Sequence, residues 1–305
     1  MLKRKLPRFE LTLCRFCGKK IAKSSHARRG VLYERKPFYY FKCDECKSYF
    51  LMPELQNEEL VKLYSLDYTD DANITENNQS YESKFVEVKN FLSEKSFSDS
   101  KVFLDYGCGA NSLPILYARE EGFEALGMEY DLEVRILAAT NTGAEILSRE
   151  EIVKIDRKLD VVFLGDVLEH LNNPLDELLM LASKLSESGV VYIQGPLEGA
   201  GTLMHKFIEL YCRIQPTKLS EFPPYHVNLF SLAGILKLAE KSNLSLKRLD
   251  VKEINWPAPT FSELKSDLSL RAVTLFMLKF CDKLIASVVP KYGTRVTLVL
   301  ERADQ

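Results

Sequence analysis

Apolar positions along the chain change rhythm part of the way through. Near the N-terminus, Val31-Leu-Tyr33 and Phe38-Tyr-Tyr-Phe41 are short apolar and aromatic runs that predict strands. From Glu54 to Tyr64, Leu55, Leu60, Val61 and Tyr64 recur at helical spacing, and from Tyr81 the positions Phe85, Val88, Phe91 and Leu92 predict a second helix ending before Ser96. The stretch between them, residues 67–80, is polar and rich in turn formers, which predicts a loop able to serve as a lid.

Beyond residue 100, short apolar runs alternate with helical patterns. Strands are expected at Lys101–Asp105, Phe123–Glu129, Lys158–Gly165 and Gly189–Gln194, with helices at Leu113–Glu121 and Leu232–Lys241 and a last strand at Thr294–Leu300. Such alternation predicts an α/β fold. The long connection 195–225, with a flexible Gly195-Pro-Leu-Glu-Gly-Ala-Gly201 turn and a helix at Leu203–Ile214, is expected to cap a pocket. Around residues 263–289, Leu275, Phe276, Leu278, Leu284 and Val288 give an apolar face expected to pack on the core or form a homodimer rather than meet a membrane. We therefore expect an N-terminal unit over 1–52, a linker with approach helices over 53–97, and a main domain over 98–305 that contains both insertions.

Composition limits the function classes. A length of 305 residues suits about two domains, and 46% apolar with 28% charged residues is a globular balance that excludes intrinsic disorder. The best candidate for a bilayer span, Val273–Val289, is interrupted by Lys279, Asp282 and Lys283, and no secretory leader follows Met1, so a cytoplasmic protein without a transmembrane segment is expected. Charge is unevenly spread. Residues 1–47 hold fourteen Lys and Arg against four Asp and Glu, leaving 27 against 39 in the rest. A basic head on an acidic body favours a polyanionic partner for the head, such as RNA or a phosphorylated metabolite.

Cys14-Arg-Phe-Cys17 and Cys43-Asp-Glu-Cys46 are two Cys-x-x-Cys pairs enclosing a short segment. Two residues between ligands let each pair chelate from one tight turn, and two pairs complete a tetrahedron, so Cys14, Cys17, Cys43 and Cys46 predict a structural Zn2+ in a zinc ribbon with no open coordination position.

Lys101-Val-Phe-Leu-Asp105-Tyr-Gly107-Cys-Gly109 runs from a strand directly into a glycine turn, and Glu129 ends the next strand about twenty residues on, where an acid can accept hydrogen bonds from ribose hydroxyls. These residues resemble the class I S-adenosylmethionine-dependent methyltransferases, whose Asp-x-Gly-x-Gly turn opens the cofactor site. The third glycine of the dinucleotide fingerprint is missing, and Asn111 stands where the methyltransferase turn often has another glycine. Gly165-Asp166-Val-Leu-Glu-His170-Leu-Asn-Asn-Pro174 and Pro224-Tyr-His226-Val-Asn228-Leu-Phe230-Ser are similar to signatures of a bacterial branch with an N-terminal zinc ribbon that includes sugar methyltransferases. The resemblance implies a Rossmann-like doubly wound, mostly parallel sheet with an antiparallel last hairpin, and S-adenosyl-L-methionine as cofactor, bound by Asp105, Gly107, Gly109, Glu129 and Asp166. A hydroxyl acceptor also needs a base, for which His226, then His170, are the candidates. The expected activity is methylation of a small polar acceptor such as a sugar or sugar nucleotide of cell-surface polysaccharide. The alternatives are an RNA methyltransferase using the basic head and a cofactor-binding scaffold without turnover.

Overall fold

A computed structural model describes residues 13–21, 27–64, 78–94, 101–199, 201–214, 219–220, 222–254 and 258–303. The basic residues 1–12 and most of the expected lid, 65–77, lie outside the described residues. Three antiparallel strands, β1 (Ala27–Tyr33), β2 (Lys36–Lys42) and β3 (Tyr49–Met52), grow from the two aromatic runs. Their inward positions Val31, Phe38, Tyr40 and Leu51 form a small core with Leu55. The helix α1 (Asn57–Leu63) starts three residues later than its apolar spacing predicts, because the Glu59 carboxylate accepts the Gln56 N–H at 2.9 Å and defines the first turn. α2 (Asn78–Glu94) follows with Val88, Phe91 and Leu92 buried.

The chain then alternates: β4 (Val102–Tyr106), α3 (Leu113–Glu120), β5 (Glu124–Met128), α4 (Leu132–Thr142), β6 (Glu145–Leu147), α5 (Arg149–Lys154), β7 (Leu159–Gly165), α6 (Pro174–Lys184) and β8 (Leu185–Pro196). Ser112, Asp131 and Ser148 accept the first free N–H groups of α3, α4 and α5, which is why each helix starts where it does. β8 begins four residues before the expected Gly189. A register shift between Leu159 and Val161 absorbs the extra length, and a Cβ at Gly189 would lie 2.6 Å from the Leu159 carbonyl oxygen, so glycine lets the strand approach.

Next come α7 (Leu203–Ile214), β9 (Leu219–Ser220), β10 (Asn228–Leu229), α8 (Leu232–Lys241), β11 (Leu244–Lys252), α9 (Phe261–Ser266), α10 (Leu270–Ala286) and β12 (Arg295–Arg302). The main sheet has the order β11-β12-β8-β7-β4-β5-β6, parallel from β8 to β6 and closed by an antiparallel β11-β12 hairpin. Strand order reverses between β4 and β7. Their carboxyl ends therefore flank the crevice where open α/β sheets bind ligands.

β9 and β10 join the N-terminal sheet instead, giving β10-β3-β2-β1-β9. Strands of two residues have no readable alternation, so no periodicity predicts them. Phe230, just after β10, packs on Phe16 between the first two cysteines, with ring centroids 4.8 Å apart, and both rings are buried in one apolar cluster shared with the main sheet.

The apolar face expected over residues 263–289 is only partly covered, with Leu275, Phe276 and Leu278 half-buried. α10 turns Lys279 and Asp282 inward and leaves Leu284 and Val288 54% and 76% exposed. Asp282 accepts the Leu203 and Met204 N–H groups at the start of α7, and Lys279 pairs with buried Glu253; these contacts fix the rotation of the helix. Among the described residues, no helix is long and apolar enough to cross a membrane.

Because Phe230 closes the contact between the two sheets, Phe230→Ala is expected to cost about 3–5 kcal/mol in a denaturant titration. A loss below about 1 kcal/mol contradicts the shared cluster.

Candidate functional site

The two cysteine pairs occupy matching turns. Gly18 N–H donates to Cys14 O and Lys47 N–H to Cys43 O, both at 2.9 Å, and Gly18 and Lys47 share positive φ values of 70° and 65°. The turns aim four sulfurs at one buried point, with Cys14 Sγ 3.7 Å from Cys46 Sγ, Cys17 Sγ 3.5 Å from Cys43 Sγ, and all four within 4.8 Å. Four sulfurs at about 2.3 Å from a tetrahedral ion stand about 3.8 Å apart, so the cluster fits zinc. All four coordination positions are then used, which gives the ion a structural role.

β4 delivers Asp105 and the glycine turn to the crevice. Gly107 and Gly109 have φ values of 81° and 60°. A Cβ at Gly107 would meet Val167 at 2.8 Å, whereas one at Gly109 would meet nothing within 4 Å. The first glycine lets the β7 exit close in, and the second leaves bare backbone facing open space that a flat ligand can occupy. Asn111 needs no left-handed backbone, and its Oδ1 accepts the Asn141 amide at 2.8 Å, so the turn is supported without a third glycine. Asp105 accepts the Ser112 hydroxyl at 2.5 Å, and Ser112 in turn accepts the Ile115 N–H that starts α3. Burial raises the Asp105 carboxyl to about 7. Glu129, at the end of β5, accepts the Gly109 N–H at 3.1 Å and the Tyr130 N–H at 2.7 Å, and burial raises its pKa as well. The glycine turn and the acid named from the sequence thus form one site whose open backbone and carboxylate fit an adenosyl group.

At the β7 exit, Asp166 is left-handed with φ 55° and holds Arg295 of β12 in a bidentate pair, both contacts at 2.8 Å. The 3-10 turn Leu168–His170 follows. Glu169 is buried, its Oε1 has no hydrogen-bond partner, and burial raises its carboxyl to about 8. His170 Nδ1–H donates to the Tyr225 carbonyl at 2.7 Å; burial lowers its pKa to about 4 and keeps it neutral. His226 Nδ1–H donates to Glu198 Oε2 at 2.5 Å. Burial alone would lower its pKa too, but the Glu198 hydrogen bond and charge, with Glu169 and Asp166 nearby, raise it to about 9. The two imidazoles lie 5.0 Å apart, and Glu169, His170 and His226 bring donor atoms within 4.8 Å of one another.

What holds His226 there is a segment tied on both sides. Toward the ribbon, Tyr40 OH donates to His226 O at 2.6 Å, Leu51 N–H to Val227 O at 2.9 Å, and Ser231 N–H to Ser48 Oγ at 2.9 Å. Toward the main sheet, Asn228 Nδ2 donates to Leu168 O and Leu171 O at 3.2 and 2.6 Å, while Tyr64 OH, at the end of α1, donates to Tyr225 O at 2.5 Å.

Residues 78–249, over half the chain, match a family model described as a methyltransferase domain, and the chain belongs to that family as a class I S-adenosylmethionine-dependent methyltransferase. It is an enzyme of that class. Two solved structures share the fold. The structure of a S-adenosylmethionine-dependent methyltransferase from Archaeoglobus fulgidus aligns at 15% identity and TM-score 0.52, over 78% of this chain and all of that one. A chain from the complex of the Haloferax volcanii Trm112 methyltransferase activator with a putative methyltransferase aligns at 12% identity and TM-score 0.53, over 78% of this chain and 97% of that one. Among curated proteins, no sequence matches.

Sequence reasoning missed Glu198 and Arg295. Glu198 sits in a glycine-rich connection and Arg295 on the last strand, and neither stands within a spacing pattern that links it to His226 or Asp166. If the open space over Gly109 receives the cofactor, Gly109→Val should weaken S-adenosylhomocysteine binding at least about tenfold by calorimetry while the fold persists by circular dichroism. Unchanged affinity contradicts the site.

Proposed function

We propose that this methyltransferase acts on a hydroxyl of a small polar acceptor, a sugar or sugar nucleotide of cell-surface polysaccharide, in the cytoplasm. The single observation that carries the reading is the His226–Glu198 pair beside His170 at the β7 exit, next to the glycine turn. The likeness of Asp166–Pro174 and Pro224–Ser231 to sugar-methyltransferase signatures supports the acceptor class.

Bound S-adenosylmethionine supplies an electrophilic methyl group. In this reading Gly107 and Gly109 offer bare backbone to the adenosyl moiety, Glu129 accepts ribose hydroxyls, Asp105 holds the turn through Ser112, and Asp166 faces the amino-acid end, its charge balanced by Arg295. With Nδ1–H committed to Glu198, His226 keeps Nε2 as the atom that takes the acceptor's proton, and the Glu198 carboxylate stabilises the imidazolium that forms. Neutral His170, its own Nδ1–H held by the Tyr225 carbonyl, packs against His226 and limits its swing. Cys14, Cys17, Cys43 and Cys46 hold a structural zinc in a ribbon spanning 1–52, joined by the 53–97 linker to a catalytic domain over 98–305. A second reading, RNA methylation with the basic head gripping phosphates, is favoured by the charge asymmetry.

Labelled cofactor supplied to a metabolite extract and to total RNA separates these readings: label in the small-molecule fraction supports the first, and label in RNA overturns it. His226→Ala should leave cofactor affinity intact and lower turnover by about 10²–10⁴-fold. Because a base must be neutral and the His226 pKa is raised to about 9, kcat/KM should climb with pH through that value and then level. Glu198→Gln removes the main raising group and should move the inflection down by about one pH unit or more. An unmoved inflection, or full turnover in His226→Ala, removes the assignment.

A further inference from the structure

α10 is an amphipathic helix turned inside out. Its inward stripe carries Ala272, Lys279 and Asp282, all buried, while Leu270, Met277, Phe280 and Leu284 recur at steps of seven, three and four residues along the outward stripe, with Val288 just past the helix end, and each is at least half exposed. The inward polar groups are fully used: Lys279 pairs with Glu253, and Asp282 accepts Leu203 N–H at 2.8 Å, Met204 N–H at 3.1 Å and the Tyr292 hydroxyl. Rolling the helix to hide its apolar stripe would break these contacts and strand a buried carboxylate, so the exposed stripe is a fixed feature of the fold.

Charge around the stripe selects the occupant. Between Phe261 and Tyr292 the exposed charged residues are Lys265, Arg271, Lys283 and Lys291 against Glu263 and Asp267, and Asp282 is buried. Arg271 and Lys283 flank the stripe on opposite sides at helical spacing, and Lys291 lies past its end. The surroundings differ in sign, since residues 48–305 as a whole carry an excess of acid. A second copy seated by a twofold axis would set these cations against themselves, which disfavours self-association through this face. An apolar stripe edged by an excess of cations fits an anionic lipid surface, where the side chains enter the acyl boundary and the cations meet headgroup phosphates.

We propose that α10 is a membrane-surface helix that lies flat on anionic lipid and holds the enzyme at the bilayer. The site is separate from the methyl-transfer crevice, and its occupancy does not depend on which acceptor is methylated.

Sedimentation of the full-length, zinc-loaded protein with phosphatidylcholine vesicles, with and without phosphatidylglycerol, tests this. Binding is expected to the anionic vesicles, at least about tenfold weaker to phosphatidylcholine alone, and reduced by raised salt. The double variant Phe280→Glu, Leu284→Glu should lose at least about tenfold in vesicle affinity while keeping its thermal midpoint and its calorimetric affinity for S-adenosylhomocysteine. Arg271→Glu with Lys283→Glu, which leaves the stripe intact, should likewise reduce binding to the anionic vesicles. Failure to bind anionic vesicles overturns the proposal, as does binding that survives Phe280→Glu, Leu284→Glu, since that would locate the contact on the basic head. A wild-type dimer that this double variant converts to monomer in sedimentation velocity also overturns it.

Discussion

The contact on which the rest of the structure depends is the one between the second cysteine turn and the segment Tyr225–Ser231. Ser231 N–H donates to Ser48 Oγ, Ser231 Oγ donates to the Cys46 carbonyl, and Phe230 packs on Phe16. The same segment carries His226, meets β3 through β10, and reaches under the 3-10 turn through Asn228. Seven residues thus serve three purposes: they complete the ribbon sheet, brace the β7 exit and aim an imidazole. The small unit that gathers the four cysteines supplies rigidity that a long connection could not supply for itself, since ordering each residue costs about 1–2 kcal/mol of backbone entropy.

Burial and charge then sort the titrating groups. His170, desolvated and bonded through Nδ1 to a carbonyl, stays neutral, whereas His226, equally enclosed but paired with Glu198, is pushed the other way. Two imidazoles 5.0 Å apart therefore differ by about 5 in pKa, from about 4 to about 9. Environments that split neighbouring groups in this way are the usual means by which one site holds a proton acceptor beside an uncharged partner. Glu169, with one buried oxygen unpartnered and its carboxyl raised by burial to about 8, lies beside both imidazoles.

Much of this was legible in the chain. Asp105, Gly107, Gly109 and Glu129 read directly because a parallel strand running into a glycine turn leaves a local spacing, and the four cysteines read because chelation from a tight turn demands two intervening residues. His170 and His226 were named from short motifs, but their pairing was not visible, since 56 positions separate them and only the fold closes that gap. Glu198, Arg295, β9 and β10 left no periodic trace. α10 was legible only in part: Leu275, Phe276 and Leu278 of its expected apolar face are half-buried while Leu284 and Val288 are exposed, because Lys279 and Asp282, whose partners Glu253 and the start of α7 are distant in sequence, set which side turns inward. Side-chain periodicity reports amphipathicity, whereas rotation about the helix axis is a tertiary property.

The coupling between metal turn and imidazole can be read by hydrogen–deuterium exchange on the protein with and without the proposed ribbon zinc. Stripping the metal should strongly accelerate exchange at the amides of residues 227–231 while β4 and β5 stay protected. Equal protection of 227–231 in both states would contradict the idea that the N-terminal unit holds this segment in place.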